Sequence, residues 1–571
     1  MSSYRRSFIA LLGLALVCGL AAPAAAQKHK ELGRMWTFEN VPLKFLKEAY
    51  GFEPTQQWLD HARMSSLRYG GGCSASFVSP RGLIMTNNHC ARDNVVAVSP
   101  KGQDWLNDGY FAKSLAEEVR VPGLTVQQLV SMKNVTAQVN EGIGDSDDAD
   151  ARAEKIAGNI KKIEEAAGKA NEGLKPQVVS LYQGGMYQLY MYKIYEDVRL
   201  VAFPHLQAAK FGGDPDNFTY PRYSLDFAFV RAWEDGKPAD TSKHYFKWKT
   251  EGPKEGDTVF VTGNPGSTGR LNTIAQMEYL RDAEYPAIIN NVKGQLSGLY
   301  RAEKRFKDDK KPVPPKLTEQ ILGLENARKA YTGYLDGLKN ENTMNIKRNA
   351  EKAIREKVVG DEKMKAKYAG AWTELEALCK EKTELLQKRP DGWRQKFQAL
   401  NQKEPAIAKR IGEAFFAVYG TEIPPDATFT LRLSDGVVKG FPCNGTIAPY
   451  FTSLYGLYAR HTEFGGEDPF NLPQIWLDRM NKLDMKTRFN LVSTCDIIGG
   501  NSGSPMIDTE GNVVGLVFDG NIESLGNRFV FTDDVPRTVC VHPHIIIESL
   551  RKIYDRSELA DEIEGKSKGY K

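Results

Sequence analysis

At 571 residues the chain has room for several domains and a large core. Its 76 Lys+Arg and 72 Asp+Glu leave a formal net charge of +4 with the two signs interspersed, which argues against a nucleic-acid surface. Beyond the N-terminus no stretch has about 18 uninterrupted apolar residues, so no integral membrane span is expected.

Residues 1–26 read as a secretory signal. Arg5-Arg6 form the basic start, Phe8 to Leu20 an apolar run too short for a comfortable bilayer crossing, and Ala24-Ala25-Ala26 a small-residue cleavage site before Gln27. Cleavage removes two arginines and no acids, taking +4 to +2, and removes Cys18, leaving six of the seven cysteines. The even number suits an oxidising compartment, and a periplasmic or secreted location is expected.

Leu43 to Tyr50 and Gln56 to Met64 have amphipathic helical pattern, before Gly70-Gly71-Gly72. Ser74 to Ser79, a Pro80-Arg81-Gly82 turn and Leu83 to Thr86 predict a β-hairpin running into Asn87-Asn88-His89-Cys90. Val119 to Val139 alternates, Ala149 to Ala170 predicts a surface helix, and strand character returns at Val178 to Leu189, Val198 to Ala202 and Phe227 to Trp233. Val259 to Gly263 is a further strand, ended by Asn264-Pro265-Gly266. From about Asn272 to Phe415 the composition shifts to Lys, Glu, Ala and Leu at helical spacing, with one clear break at Lys307 to Lys316. Strands resume after Pro424-Pro425, at Thr428 to Leu433, Val437-Val438, Val513 to Phe518 and Phe529 to Thr532, and Ile545 to Tyr554 predicts a C-terminal helix.

The chemistry is concentrated in three blocks. A serine hydroxyl needs an imidazole to take its proton, and the imidazole needs a carboxylate to fix its tautomer. His89 ends an apolar strand, Asp226 lies in Leu225-Asp226-Phe227, and Ser502 lies in Gly500-Asn501-Ser502-Gly503. The order His–Asp–Ser is that of the chymotrypsin-like double barrel. The amides of Gly500 and Ser502 are the expected oxyanion donors. Asp214 and Asp216 compete with Asp226 by spacing; they sit in a glycine/proline loop where aspartates commonly make turns. Cys73 and Cys90, 17 apart, flank the hairpin that ends at His89 and are expected to be bridged. Cys379, Cys443, Cys495 and Cys540 are unassigned, with Cys495–Cys540 a guess. His542 and His544 lack other metal ligands nearby, so neither a metal nor a cofactor is expected.

Several blocks together resemble the bacterial dipeptidyl peptidase 7/11 family: Met35 to Phe38, Gly71-Gly72-Cys73, Thr86 to Cys90, Phe211 to Phe227, Gly499 to Pro505 and Phe518 to Asn521. The resemblance implies a secreted, metal-independent chymotrypsin-clan serine exopeptidase that removes dipeptides from free peptide N-termini, and relatives suggest a homodimer. It favours Asp226, following Pro221-Arg222, as the acid. It also implies an α-ammonium site in which Asp519 supplies the carboxylate, Asn217 a carbonyl, Phe218 the lining aromatic and Asn326 an amide from the helical region. At Gly520 the resemblance implies an S1 pocket without charge and a preference for apolar P1 residues. Two features depart from the family: Asn88 stands where many relatives have a second histidine, and the helical region is shorter than in the best-known members.

The expected fold class is α+β, a chymotrypsin-like double β-barrel with an inserted all-α domain. Its expected division is a peptidase domain over 27–271, a helical cap over 272–420 in the second barrel, and the remainder over 421–571. The competing readings are a trypsin-like or chaperone-protease-like endopeptidase and a non-catalytic peptide-binding envelope homologue.

Overall fold

The computed structural model describes residues 27–144, 149–567, 569 and 570; the expected signal segment lies outside them. The expected hairpin is built from β1 (Ser66–Tyr69), β2 (Cys73–Phe77) and β3 (Leu83–Thr86), and β3 leads directly into helix α1 (Asn88–Val98). Strands β4 (Val126–Asn134), β5 (Leu174–Leu181), β6 (Met186–Tyr195), β7 (Asp197–Phe203) and β8 (Ala228–Glu234) complete most of one antiparallel sheet. Its order is Tyr110–Phe111, β7, β8, β3, β2, β1, β4, β6, β5. Residues Val178 to Leu189 are not one strand: a turn over Tyr182–Gly184, with Tyr182 and Gln183 at positive φ, folds β5 back onto β6.

The second sheet begins with β9 (Thr258–Gly263). Five long helices follow it: α2 (Tyr285–Asp308), α3 (Pro315–Lys339), α4 (Glu341–Val359), α5 (Glu362–Lys388) and α6 (Trp393–Tyr419). The sheet then continues through β10 (Arg432–Val437), β11 (Arg488–Ser493), β12 (Pro505–Asp508), β13 (Asn512–Gly520) and β14 (Thr538–Val541). Its order is β10, β9, β12, β13, β14, β11, Phe451–Ser453. β9 and β10 pair antiparallel from Thr258↔Val437 to Gly263↔Arg432, although all five helices lie between them in the chain. Among the described residues both sheets run as open strand orders, and no pairing closes either into a barrel.

Four sequence expectations need correction. The helical region has breaks beyond Lys307 to Lys316, because Asn340 and Asp361 each cap a new helix with a side-chain oxygen; a single capping residue inside a Lys/Glu-rich run leaves the apolar period undisturbed. Phe529 to Thr532 is not a strand: it follows a 3-10 turn over Ile522–Arg528, and its apolar side chains are buried there instead. The β10 strand starts only at Arg432. Cys495 and Cys540 are buried free thiols, since the β11–β14 register sets Cys540 opposite Leu491 and leaves Cys495 beyond the paired stretch. Among the described residues no helix is long and apolar enough to cross a membrane.

The chain's C-terminus is tied to the first sheet through one charge cluster. Arg231 of β8 is fully buried; its Nε donates to Glu118 at 2.8 Å, and Nη1 and Nη2 reach Glu562 at 2.6 and 3.0 Å. Trp233 and Tyr570 add donors to Glu118 at 2.8 and 2.9 Å, and Ser79 donates to Glu562 at 2.8 Å. Removing one partner of a buried pair strands the other in a poor solvent. Arg231→Met is therefore expected to lose about 3–5 kcal/mol of stability, read as a lower urea midpoint at unchanged slope.

Candidate active site

The β3–β8 pairing brings the first two candidate residues together. Thr86 lies opposite Ala228 in this register, so the residues just after β3 face those just before β8. His89 occupies the first turn of α1; its backbone N donates to Asp226 Oδ1 at 2.9 Å, and its Nδ1 lies 2.6 Å from Asp226 Oδ2. One carboxylate thus holds the histidine at two points. With Nδ1 as the donor, Nε2 is left to exchange a proton with substrate or nucleophile. Asn87 is buried and donates to the Asp226 carbonyl at 2.8 Å. Burial pushes the Asp226 carboxyl up, but the charge and hydrogen bonds of His89, with Arg92 farther off, outweigh it and hold it below the ordinary range. Cys73 and Cys90 are joined in a disulfide.

Asp214 and Asp216 are engaged elsewhere. Asp214 pairs with Arg328 of α3 at 2.6 Å and Asp216 with Arg460 at 2.7 Å. Neither contacts His89 in the hydrogen bonds of the described residues.

Ser502 lies in the loop between β11 and β12, which is docked onto β2 of the other sheet. Ser74 N donates to the Ser502 carbonyl at 2.7 Å and Ser74 Oγ to the Gly500 carbonyl at 2.8 Å. Gly500 and Gly503 have φ of 104° and 88°, and a Cβ at 503 would run into Ser74 O and Thr86 Oγ1. The turn is thus available only to glycine at that point. With both carbonyls bonded to Ser74, the amides of Gly500 and Ser502 have no acceptor among the described residues. His89, Asp226 and Ser502 line one cleft of about 580 Å³; Gly499 and Asn501 line it too, and Gly500 is not among its lining residues.

Asn217, Phe218, Asn326, Asp519 and Gly520 line the same cleft. Asp519, at the end of β13, accepts from Phe218 N at 3.0 Å and Arg222 Nη1 at 2.7 Å on Oδ2, and from Gly520 N at 2.9 Å on Oδ1. An ionised carboxylate has about four acceptor positions, so Oδ1 retains capacity for another donor. Phe218 is held at φ 54°, uncommon for a bulky residue. Asn217 Nδ2 donates to Asn326 Oδ1 at 3.1 Å, joining this end of the cleft to α3.

Arg222 is the residue that sequence reasoning passes over. In the sequence it is only half of the Pro-Arg pair before Asp226, and nothing in spacing ties it to Asp519, 297 residues on. Glu319 of α3 likewise lines the cleft, 4.0 Å from Arg92. Burial raises its carboxyl against the opposing attraction of Arg92. No local signal marks it within a helix rich in charge.

A family model described as Peptidase S46 matches residues 30–390 and 391–565. The chain belongs to the peptidase S46 family. It is accordingly a peptidase, a hydrolase. Among relatives of this S46 peptidase is "Dipeptidyl-peptidase 7" of Porphyromonas gingivalis, 26% identical over 706 aligned positions covering 95% of this chain and 97% of that protein. "Asp/Glu-specific dipeptidyl-peptidase" of Capnocytophaga gingivalis is 24% identical, covering 96% and 99%. The crystal structure of Porphyromonas endodontalis DPP11 superposes with a TM-score of 0.77 at 19% identity, over 93% of this chain and 99% of that one. That protein has also been solved in complex with the dipeptide Arg-Glu. The fold of the S46 peptidase is therefore shared with DPP11.

Proposed function

We propose that this S46 peptidase is a secreted serine exopeptidase that releases dipeptides from free peptide N-termini through an acyl-enzyme. His89 acts as general base and then acid, Asp226 orients it, Ser502 attacks the scissile carbonyl, and the Gly500 and Ser502 amides receive the oxyanion. The carrying observation is that one cleft holds the His89–Asp226 pair, Ser502 and the Asp519 carboxylate. Asp519, Asn217 and Asn326 then form the ammonium site, with Arg222 orienting Asp519. The two sheets are read as the two barrels of a chymotrypsin-like fold, in which 27–271 and 421–571 make the peptidase domain and 272–420 the cap. The names of the relatives favour dipeptide release, and the bond from Asn217 to α3 supports a cap that takes part in it.

The P1 side chain is proposed to be apolar. Ile497, Ile498, Phe518, Leu525 and Ala330 line the same cleft as Gly520. A Cβ at Gly520 would press against Ser524 Oγ, so neither charge nor bulk enters the pocket from this position. Reporters with Leu, Met or Phe at P1 are expected to exceed Asp and Glu reporters in kcat/KM by on the order of 100-fold, because Gly520 offers no cation to pair with a P1 carboxylate. Preference for Asp or Glu in the reporter panel would overturn the assignment.

The dipeptide reading is tested by mass spectrometry of products from free and N-acetylated peptides. Free peptides are expected to lose dipeptides stepwise and acetylated ones to remain intact. Asp519→Ala is expected to cut kcat/KM on free peptides by at least about 30-fold, the loss of one partner of a buried charge pair. Equal cleavage of acetylated peptides would instead indicate an endopeptidase, and absence of cleavage a binding protein.

A further inference from the structure

The loop that carries Ser502 has a second anchor, built from residues that do not line the cleft. Six residues before Ser502, Asp496 is almost fully buried and receives three donors: Arg34 N at 2.8 Å, Arg270 Nη1 at 2.5 Å and Arg270 Nη2 at 2.7 Å. Its own amide donates to Ser434 Oγ at 2.7 Å. Arg270, also buried, continues to the Asn527 carbonyl from Nε and Nη2 at 3.0 and 2.8 Å and to the Leu32 carbonyl from Nη1 at 3.3 Å.

The arginine is itself held from behind. Its carbonyl accepts from buried Lys347 of α4 at 2.6 Å, and its amide donates to Asp426 at 2.8 Å. Gly33 passes directly over the pair at φ 87°, where a Cβ would overlap both the guanidinium and Asp496. The Arg270 side chain therefore joins the N-terminal segment, the 494–504 loop and the turn beyond Gly520, and its backbone carbonyl ties the same residue to a cap helix. Neither Arg270 nor Asp496 lines the cleft.

We propose that Arg270 is a positioning residue, which acts through Asp496 to hold the 494–504 loop so that the Gly500 and Ser502 amides and the Ser502 hydroxyl face the cleft together. Backbone bonds hold the loop at its two ends, from Thr494 N to the Val437 carbonyl at 2.9 Å and from Gly503 N to the Val517 carbonyl at 2.9 Å, Gly266 N donates to the Gly499 carbonyl at 2.7 Å, and Ser74 holds the carbonyls of Gly500 and Ser502. A bidentate guanidinium–carboxylate pair fixes orientation as well as position. An apolar contact in its place would fill the volume and leave the loop free to rotate. Between the backbone anchors at Thr494 and Gly499, the Asp496 pair supplies the charged tie.

This inference rests on Ser502 as the nucleophile, and the test separates the two. Arg270→Gln and Asp496→Asn are made in the full mature chain and assayed per folded molecule. The readouts are kcat, KM and the rate of labelling by a serine-directed phosphonate. Displacing reacting groups by about 1 Å costs on the order of 100-fold, so kcat and the labelling rate are expected to fall together by that factor, with KM moving about threefold or less. A role in stability alone would lower the unfolding temperature and leave both rates of the folded molecules unchanged, which overturns the proposal. If either single variant does not fold, the Arg270→Gln/Asp496→Asn double exchange, which strands no charge, is read by the same criteria. Full turnover by Ser502→Ala would instead remove the nucleophile assignment.

Discussion

Ser502→Ala is expected to lower kcat on dipeptidyl reporters by about 10⁶-fold, the scale of losing a nucleophile whose partners act as a unit. What survives comes from the oxyanion donors and from binding, which the substitution leaves in place. Folding should be unaffected: the serine is tied to β2 through its carbonyl, which accepts from Ser74 N, and alanine keeps that bond. The dipeptide product should bind the variant as it binds the parent. The measurement is single-turnover kinetics beside product inhibition; a variant that still forms a burst of acyl-enzyme would remove Ser502 from the mechanism.

Asp226→Asn is expected to cost about 10⁴-fold in kcat. The asparagine amide fits the same space but presents an NH₂ to one of the two histidine donors, at Nδ1 or at the backbone N. The imidazole then takes the wrong tautomer or turns away. The substitution also has a signature in stability. The Asp226 carboxyl is held below its unfolded value by His89, so its contribution is present above about pH 4 and lost as pH falls through the native pKa. The parent should therefore exceed the variant in urea stability at about pH 7, and the difference should shrink at about pH 3. A difference that grew on acidification would contradict the hydrogen-bonded geometry at His89.

The hairpin at Ser74 to Thr86, the strand at Val259 to Gly263 and the helical composition after Asn272 were legible because each rests on a local period of apolar residues. The breaks at Asn340 and Asp361 were not, because a capping oxygen changes one residue and leaves the period intact. Phe529 to Thr532 has the composition of a strand, yet among the described residues it has no partner strand, and Phe529 is buried against helical residues such as Tyr285 and Leu338. The cysteine guess failed for a related reason: pairing of Cys495 with Cys540 depends on register between β11 and β14, which composition does not encode.

For the proposed site, the residue types and their order bring His89 and Ser502 forward as candidates, since glycines around a serine and a histidine after an apolar strand are local facts. The choice among Asp214, Asp216 and Asp226 was not local; the β3–β8 register and the arginines at 328 and 460 decide it by giving each carboxylate a different partner. Arg222 with Asp519, Arg270 with Asp496, and Ser74 with the loop at Gly500 join residues hundreds of positions apart. Such pairs have no period and no spacing. The sequence by itself determined which chemical groups the chain owns and which segments form strands and helices, because those depend on neighbours in the chain. Only the tertiary structure decided which carboxylate meets the imidazole and which arginines orient the acids, because burial and charge pairing depend on neighbours in space.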